Sequence, residues 1–359
     1  MSSIPITTNA LIQWYLTEKR ELPWRNTHDP YYIWISEIML QQTRAESVKA
    51  YFTRFITLFP TLAALASASQ EVVLKAWEGL GYYSRARNIH QSAQTIVQEL
   101  DGQFPRTYPQ LLRLPGIGAY TAGAIASIAF GERVPAIDGN VYRVATRYFG
   151  IRENIHRPQT RQLLRNFIIE SLPHEQVGIY NQALMELGAT VCIPRIPKCE
   201  QCPLRTSCDA FAEQDAEHLP VREKKRPPKL IELAVCLLTY ENQVLVVRRS
   251  QKMLHGLYVF MLIEQETDSV YVQDILVKTG LNCVFLSHLG VARHVFTHRI
   301  WNMSILHFRL TQKPNAMALE AIGAKLVFIQ QELLALPMPT AMKIARDKAM
   351  ALSERETAG

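Results

Sequence analysis

Apolar side chains recur every three to four positions from Thr8 to about Phe211, in segments of helix length separated by proline and glycine. The period predicts a run of helices. Two helix starts are marked. Asp29 followed by Pro30 reads as an N-cap with proline in the first turn, opening YYIWISEIML. Thr43-Arg44-Ala45-Glu46 reads as a capping box opening the next helix, which leaves Gln41 and Gln42 at a helix–helix junction. Further on stands LPGIGAYTAGAI, residues 114–125. Pro115 ends one helix there, and Gly116 and Gly118 permit a tight turn before AYTAGAIASIAF. Asp138, in VPAIDGNVYRVATRYF, occupies the N-cap of a helix starting near Gly139.

Beyond about residue 230 the pattern changes to β-branched runs. LIELAVCLLTYENQVLVVRRS predicts two strands flanking Glu241-Asn242-Gln243. More strands are predicted near Leu281–Ala292 and Trp301–Leu310, with helical patterns in parts of 268–280 and 329–353. The chain thus reads as a mainly α N-terminal region, 1–217, and an α+β C-terminal domain, 230–359. Between them lies HLPVREKKRPPK, 218–229, a basic, proline-rich linker expected to be semi-rigid and exposed.

Composition narrows the picture. The chain has 359 residues, 48% hydrophobic and 20% charged, as in water-soluble globular proteins with more than one domain. A net charge of +7 points to an anionic partner, and nucleic acid fits best. MSSIPITTNALIQWYL lacks the basic n-region of a signal peptide, and no apolar run approaches the length of a membrane span. The expectation is an intracellular protein with no membrane partner.

Candidate chemistry falls into three groups. Cys192, Cys199, Cys202 and Cys208 crowd into seventeen residues as C-x6-C-x2-C-x5-C, a metal-ligand pattern rather than a disulfide one inside a cell. The spacing alone leaves zinc and a [4Fe–4S] cluster open. Arg195, Lys198 and Arg205 add positive charge around it, whereas Cys236, in LAVCLLTY, reads as a buried strand residue. The exposed amides of the glycine hairpin, at a helix N-terminus, suit a phosphate, although an ordinary helix–helix turn has the same composition. Glu37, among Ile35, Ile38, Met39 and Leu40, either faces a dry wall with a raised pKa, as a general acid requires, or lies on a solvent face. A capping Asp138 is held in place and expected to stay ionised. Spacing does not bring Glu37 and Asp138 together.

The hairpin, an aspartate twenty residues after Gly118 and the four cysteines together resemble the endonuclease III superfamily of DNA glycosylases. That resemblance implies a [4Fe–4S] cluster on Cys192, Cys199, Cys202 and Cys208. SEIMLQQT at 36–43, EGLGYYSRARN at 78–88, LPGIGAYTAGAI and PAIDGNVYRV at 135–144 are similar to the MutY family of adenine DNA glycosylases. The resemblance spans nearly the whole chain. It divides the helical region into a six-helix subdomain with the helix-hairpin-helix, about 26–134, and an iron–sulfur subdomain of 1–25 with 135–217. It makes 230–359 a Nudix-like domain that recognises 8-oxoguanine.

The implied activity is monofunctional: hydrolysis of the N-glycosidic bond of adenine mispaired with 8-oxoguanine or guanine in double-stranded DNA, in base excision repair, by a monomer. Bifunctional relatives carry a lysine that forms an imine with the sugar where this chain has Tyr120, and no lysine lies in 114–125. By resemblance, Glu37 protonates adenine N7 and Asp138 stabilises the oxocarbenium ion, while Tyr120 and Asn140 orient Asp138 and the sugar. Trp24, Arg25 and Gln182 match the adenine pocket. Gln42 and Tyr82 match residues that enter the DNA stack, Thr43 and Leu80 lie beside the opposite base, and Gly116 and Gly118 hold a phosphate. Phe296-Thr297-His298 stands where the family has Phe-Ser-His, with threonine adding a methyl. After GLYVF, 256–260, no glutamate-rich magnesium helix follows, so nucleotide hydrolysis is not expected. Two other readings remain: a bifunctional pyrimidine glycosylase and lyase of the endonuclease III kind, and a non-catalytic iron–sulfur DNA-binding protein.

Overall fold

The helical period becomes helices where it was read. The structure, a computed structural model, describes residues 5–223 and 227–357. Lys224, Lys225 and Arg226 of the basic linker lie outside the described residues. Twelve α-helices precede the first strand among the described residues: α1 (Thr8–Glu18), α2 (Pro30–Leu40), α3 (Ala45–Leu58), α4 (Leu62–Ser67), α5 (Gln70–Ala76), α6 (Ser84–Glu99), α7 (Tyr108–Leu111), α8 (Ala119–Phe130), α9 (Gly139–Tyr148), α10 (Pro158–Glu170), α11 (Val177–Thr190) and α12 (Asp209–Ala212). Among the described residues, no helix is long and apolar enough to cross a membrane.

Two compact units emerge: residues 5–67 with 88–223, and residues 68–87 with 227–357. The segment 68–87 therefore departs from the single helical region read over 1–217. Its apolar period is the same whichever core it faces, so its affiliation is invisible in the pattern.

In the first unit, Asp29 caps α2 by accepting from the Tyr31 amide at 2.8 Å, and Pro30 occupies the first turn. The capping box at Thr43 does not form. Arg44 is the N-cap of α3 and makes no side-chain cap bond. The chain is still turning at Thr43: its amide bonds Leu40 O, and Gln42 before it is left-handed, at φ 62°. One core joins α1, α9, α10 and α11 through Leu11, Val141, Tyr148, Leu164, Tyr180 and Leu184.

The second unit is built on a mixed sheet. Its strands are β1 (Lys229–Tyr240), β2 (Gln243–Arg248), β3 (Tyr258–Val259), β4 (Met261–Glu264), β5 (Cys283–Val295), β6 (Arg299–Leu310) and β7 (Ala324–Phe328). The spatial order is β3-β2-β1-β6-β5, with β4 on β1 and β7 on β2. β1 and β2 form the expected hairpin, Tyr240 facing Gln243 across Glu241-Asn242. β1 runs parallel to β6, Lys229 opposite Arg299 and Thr239 opposite Arg309.

The run LAVCLL is apolar without a break because both faces of β1 are buried. Leu233, Val235 and Leu237 enter one core with Met342, Ala345 and Ala349. Ala234, Cys236 and Leu238 enter another with Val272 and Leu276 of helix α13 (Ser269–Lys278). Each fully buried Leu or Val here contributes about 1.5–3 kcal/mol. Two further helices are α14 (Ala316–Ala321) and α15 (Lys343–Thr357). The helical pattern read over 329–353 yields regular α-helix only from Lys343, because Pro337 and Pro339 cannot continue a helix.

Candidate active site

Helix α2 buries almost its whole circumference, Tyr31, Ile33, Trp34, Ile35, Ser36, Ile38 and Met39 together with Glu37. A helix apolar all round lies inside a protein rather than on it. Glu37 is 6% exposed, so the solvent-face reading fails and the dry-wall reading holds. Burial pushes its carboxyl up to about 7, the repulsion of Asp138 adds to this, and a hydrogen bond from Tyr120 together with the charge of Arg25 oppose it. The Tyr120 hydroxyl, on the first turn of α8, donates to the Glu37 carboxylate and lies 3.2 Å from Met185 Sδ. Tyr120 was expected to orient Asp138; its hydroxyl serves Glu37 instead, because α2 and α8 pack directly on each other.

Asp138 is the N-cap of α9, as read. Its Oδ1 accepts from the Asn140 amide at 2.8 Å and the Val141 amide at 2.7 Å, and its Oδ2 from Asn140 Nδ2 at 2.8 Å. Burial raises the Asp138 pKa, and this outweighs the cap bonds and the charge of Arg143. Asn140 is thus one of the donors that hold the Asp138 side chain. Its Oδ1 accepts from Arg143 Nη2 at 2.8 Å, and Arg143 Nε donates to Cys192 O at 2.8 Å. Gly188 on α11 makes room for this arrangement: a Cβ there would stand 2.6 Å from Asn140 Cβ.

Glu186 of α11 joins the site without having been singled out in the sequence. Its side chain is fully buried. It accepts from Arg20 Nε at 2.8 Å, Arg20 Nη2 at 2.7 Å and Arg25 Nη2 at 2.5 Å. Burial pushes its carboxyl up, but the two arginines prevail and hold it at about 2. The signal was a carboxylate in an apolar helix, ALMELGA, the same signal that marks Glu37. Glu186 thus fixes Arg25, whose guanidinium lies 5.5 Å from the Tyr15 ring centroid. Tyr15 Oη donates to Gln182 Oε1 at 3.1 Å, which brings two of the three expected pocket residues, Arg25 and Gln182, onto one tyrosine. The third, Trp24, is buried edge-to-face on Phe52.

At the hairpin, Gly116 holds φ 76°, and a Cβ would meet Asn88 Cβ at 2.5 Å, so only glycine fits. Gly118 is the exposed N-cap of α8, with open space where a side chain would stand. Gln42 is exposed and left-handed, with Thr43 next to it half-buried.

The remaining predicted contacts lie in the second unit. Tyr82 is 47% exposed and left-handed, φ 47°. Its hydroxyl lies 2.6 Å from Thr297 Oγ1, so the unit joins two motifs that lie 215 residues apart. Phe296 is wedged between His294 and Trp301, at ring-centroid distances of 4.5 and 4.9 Å. Thr297 and His298 are exposed. Leu80 is buried, at 6% exposure, and packs rather than presenting its side chain to a ligand.

Cys192, Cys199, Cys202 and Cys208 line one cavity, with Arg147 Nη1 3.3 Å from Cys192 Sγ. Burial and mutual repulsion push Cys202 up to about 12 and Cys208 to about 11. Among the described residues, no three His, Cys, Asp or Glu side chains converge closely enough to hold a single metal ion.

Residues 35–169 match the HhH-GPD superfamily base excision DNA repair protein family, and residues 234–348 match the NUDIX domain. The chain is 34% identical to the adenine DNA glycosylase of Mus musculus, over 86% of this chain and 71% of that one. It is also 34% identical to the adenine DNA glycosylase of Buchnera aphidicola subsp. Acyrthosiphon pisum, over 85% of this chain and 87% of that one. A solved thermostable thymine-DNA glycosylase superposes on 57% of this chain and 95% of its own, with a TM-score of 0.53 and 29% identity.

Proposed function

The chain belongs to the adenine DNA glycosylase family, and from that membership we propose that it hydrolyses the N-glycosidic bond of adenine mispaired with 8-oxoguanine or guanine in double-stranded DNA. The observation that carries the chemistry is a buried Glu37 poised at about 7, beside a fixed Asp138, with a tyrosine rather than a lysine at position 120. A base inside the stack is out of reach, so adenine is flipped out of the duplex. Protonated Glu37 gives its proton to adenine N7. The C1′–N9 electron pair leaves with the base, and the sugar becomes an oxocarbenium ion. The Asp138 carboxylate, held by its two backbone amides and Asn140, stabilises that cation. Water then adds to C1′ and returns its proton to Glu37, the two-carboxylate logic of glycoside hydrolysis.

Tyr120 and Arg25 both oppose the rise in the Glu37 pKa, so they set how acidic the donor is. Without a lysine at 120 no imine forms, and the product is an abasic site. Phe296, Thr297 and His298 read the 8-oxoguanine, and the C-terminal domain hydrolyses no nucleotide. The enzyme works inside the cell, at DNA.

Cys192, Cys199, Cys202 and Cys208 are suited to a [4Fe–4S] cluster. All four thiols line one cavity, so the loops gather the donor set that such a cluster would take. The raised pKa values of Cys199, Cys202 and Cys208 mean that these three thiols ionise together only against strong positive charge. The cluster, when bound, supplies cross-linking of the loops and takes no part in the bond-breaking steps above.

A duplex carrying adenine opposite 8-oxoguanine tests the proposal. The enzyme is expected to release adenine and to leave a strand that breaks only after alkali. Glu37→Gln should bind the duplex and release nothing; retained turnover overturns the mechanism. A borohydride-trapped protein–DNA adduct would favour the bifunctional reading instead.

A further inference from the structure

Tyr82 adopts a left-handed backbone, which costs a non-glycine residue of the order of 1 kcal/mol and persists only where its surroundings enforce it. Those surroundings centre on Arg85. Arg85 Nη2 donates to Leu80 O at 3.1 Å and to Gly81 O at 3.3 Å, and its backbone amide donates to Tyr82 O at 2.9 Å. Its guanidinium lies 5.4 Å from the Trp77 ring centroid and 5.5 Å from that of Tyr82, a cation between two π faces. Trp77 Nε1 donates to the same Gly81 carbonyl at 3.1 Å. Burial lowers the Arg85 pKa to about 10, which leaves it charged at neutral pH. Beyond Tyr82, the hydroxyl contact to Thr297 is the next link. The loop it reaches is itself tied down, by Phe296 N–H to Arg299 O at 2.8 Å and Lys229 N–H to His298 O at 3.0 Å.

We propose that Arg85 is a specificity-determining positioning residue: it fixes Tyr82 so that Tyr82 bonds Thr297, and the stack-entering loop and the 8-oxoguanine-reading loop act as one. Threonine fits this role. Its β-branch restricts χ1, so the hydroxyl is committed to Tyr82 rather than free to rotate. Lysine could not replace Arg85, because a point charge cannot bridge two carbonyls while stacking flat on two rings. The inference rests on the reading of 296–298 as the 8-oxoguanine loop.

The test is single-turnover adenine release by the full chain from otherwise identical A:8-oxoguanine and A:G duplexes. Wild type, Arg85→Lys, Tyr82→Phe and the double variant are compared. Arg85→Lys should reduce the preference for A:8-oxoguanine on the order of tenfold, the loss expected for one charge-assisted hydrogen bond. Tyr82→Phe should reduce it similarly, and the double variant no further, since both act through one contact. Equal losses on both duplexes, or losses that multiply in the double variant, overturn the inference. Arg85→Gln, which keeps a donor for one carbonyl, gives the same comparison if lysine prevents folding. A wild type with no preference overturns the 8-oxoguanine reading and this inference with it. A wild-type preference untouched in a folded Arg85 variant overturns the inference alone.

Discussion

Glu37 concentrates the chemistry because one side chain carries two opposing demands. Its carboxyl must be protonated to act as an acid near neutral pH, and burial at 6% exposure supplies that. The Tyr120 hydroxyl donates to the carboxylate and so favours the charged form. Removing that donor in Tyr120→Phe should raise the Glu37 pKa and move the alkaline limb of the pH–rate profile upward from about 7. A limb that stays or moves down contradicts the assignment. The same burial affects stability. A pKa raised from 4.5 to about 7 means the folded state holds its proton more tightly than the unfolded chain. Folding therefore carries no penalty below the unfolded value, and the penalty grows through this window to about 3 kcal/mol above it. Glu37→Gln should melt higher than wild type at about pH 8, with the gap nearly closed at about pH 5; a constant gap would mean Glu37 is not buried in its acid form.

Helix α9 shows how an element positions a charge. The N-cap geometry of Asp138 is local, set by the amides of Asn140 and Val141, and asparagine caps as well as aspartate does. Asp138→Asn should therefore leave stability within about 1 kcal/mol of wild type. It should slow adenine release by at least about a hundredfold, because the charge that stabilises the oxocarbenium ion is gone. Circular dichroism melts and single-turnover assays on the same samples separate the two effects. The cap was legible in PAIDGNVYRV because a cap spans only three residues. The Arg143 bridge from Asn140 to Cys192 O was not, since it depends on where α11 delivers Cys192. Likewise the missing cap at Thr43 follows from the left-handed turn at Gln42, which a pattern of residue types does not specify.

At the scale of the molecule, the cysteines stand on loops built around short 3₁₀ turns, Cys199–Gln201 and Arg205–Ser207, that bury no residues of their own. Cys202→Ser should lower bound iron and inorganic sulfide and reduce the melting temperature; zinc in place of iron in the purified protein would overturn the cluster assignment.

The caps at Asp29 and Asp138, the buried strand β1, the hairpin glycines and the cysteine spacing were all determined by the sequence itself. Each is written in residues within about four positions of one another or in a fixed spacing. Tertiary structure alone decided that Glu37 is buried, that Tyr120 serves Glu37 across 83 residues, and that Glu186 locks Arg25 across 161. It also decided that residues 68–87 join the second unit and bring Tyr82 to Thr297. The reason is physical: periodicity and capping are short-range properties of the chain, whereas a pKa or a long-range hydrogen bond is set by the dielectric and the charges that folding assembles around a group.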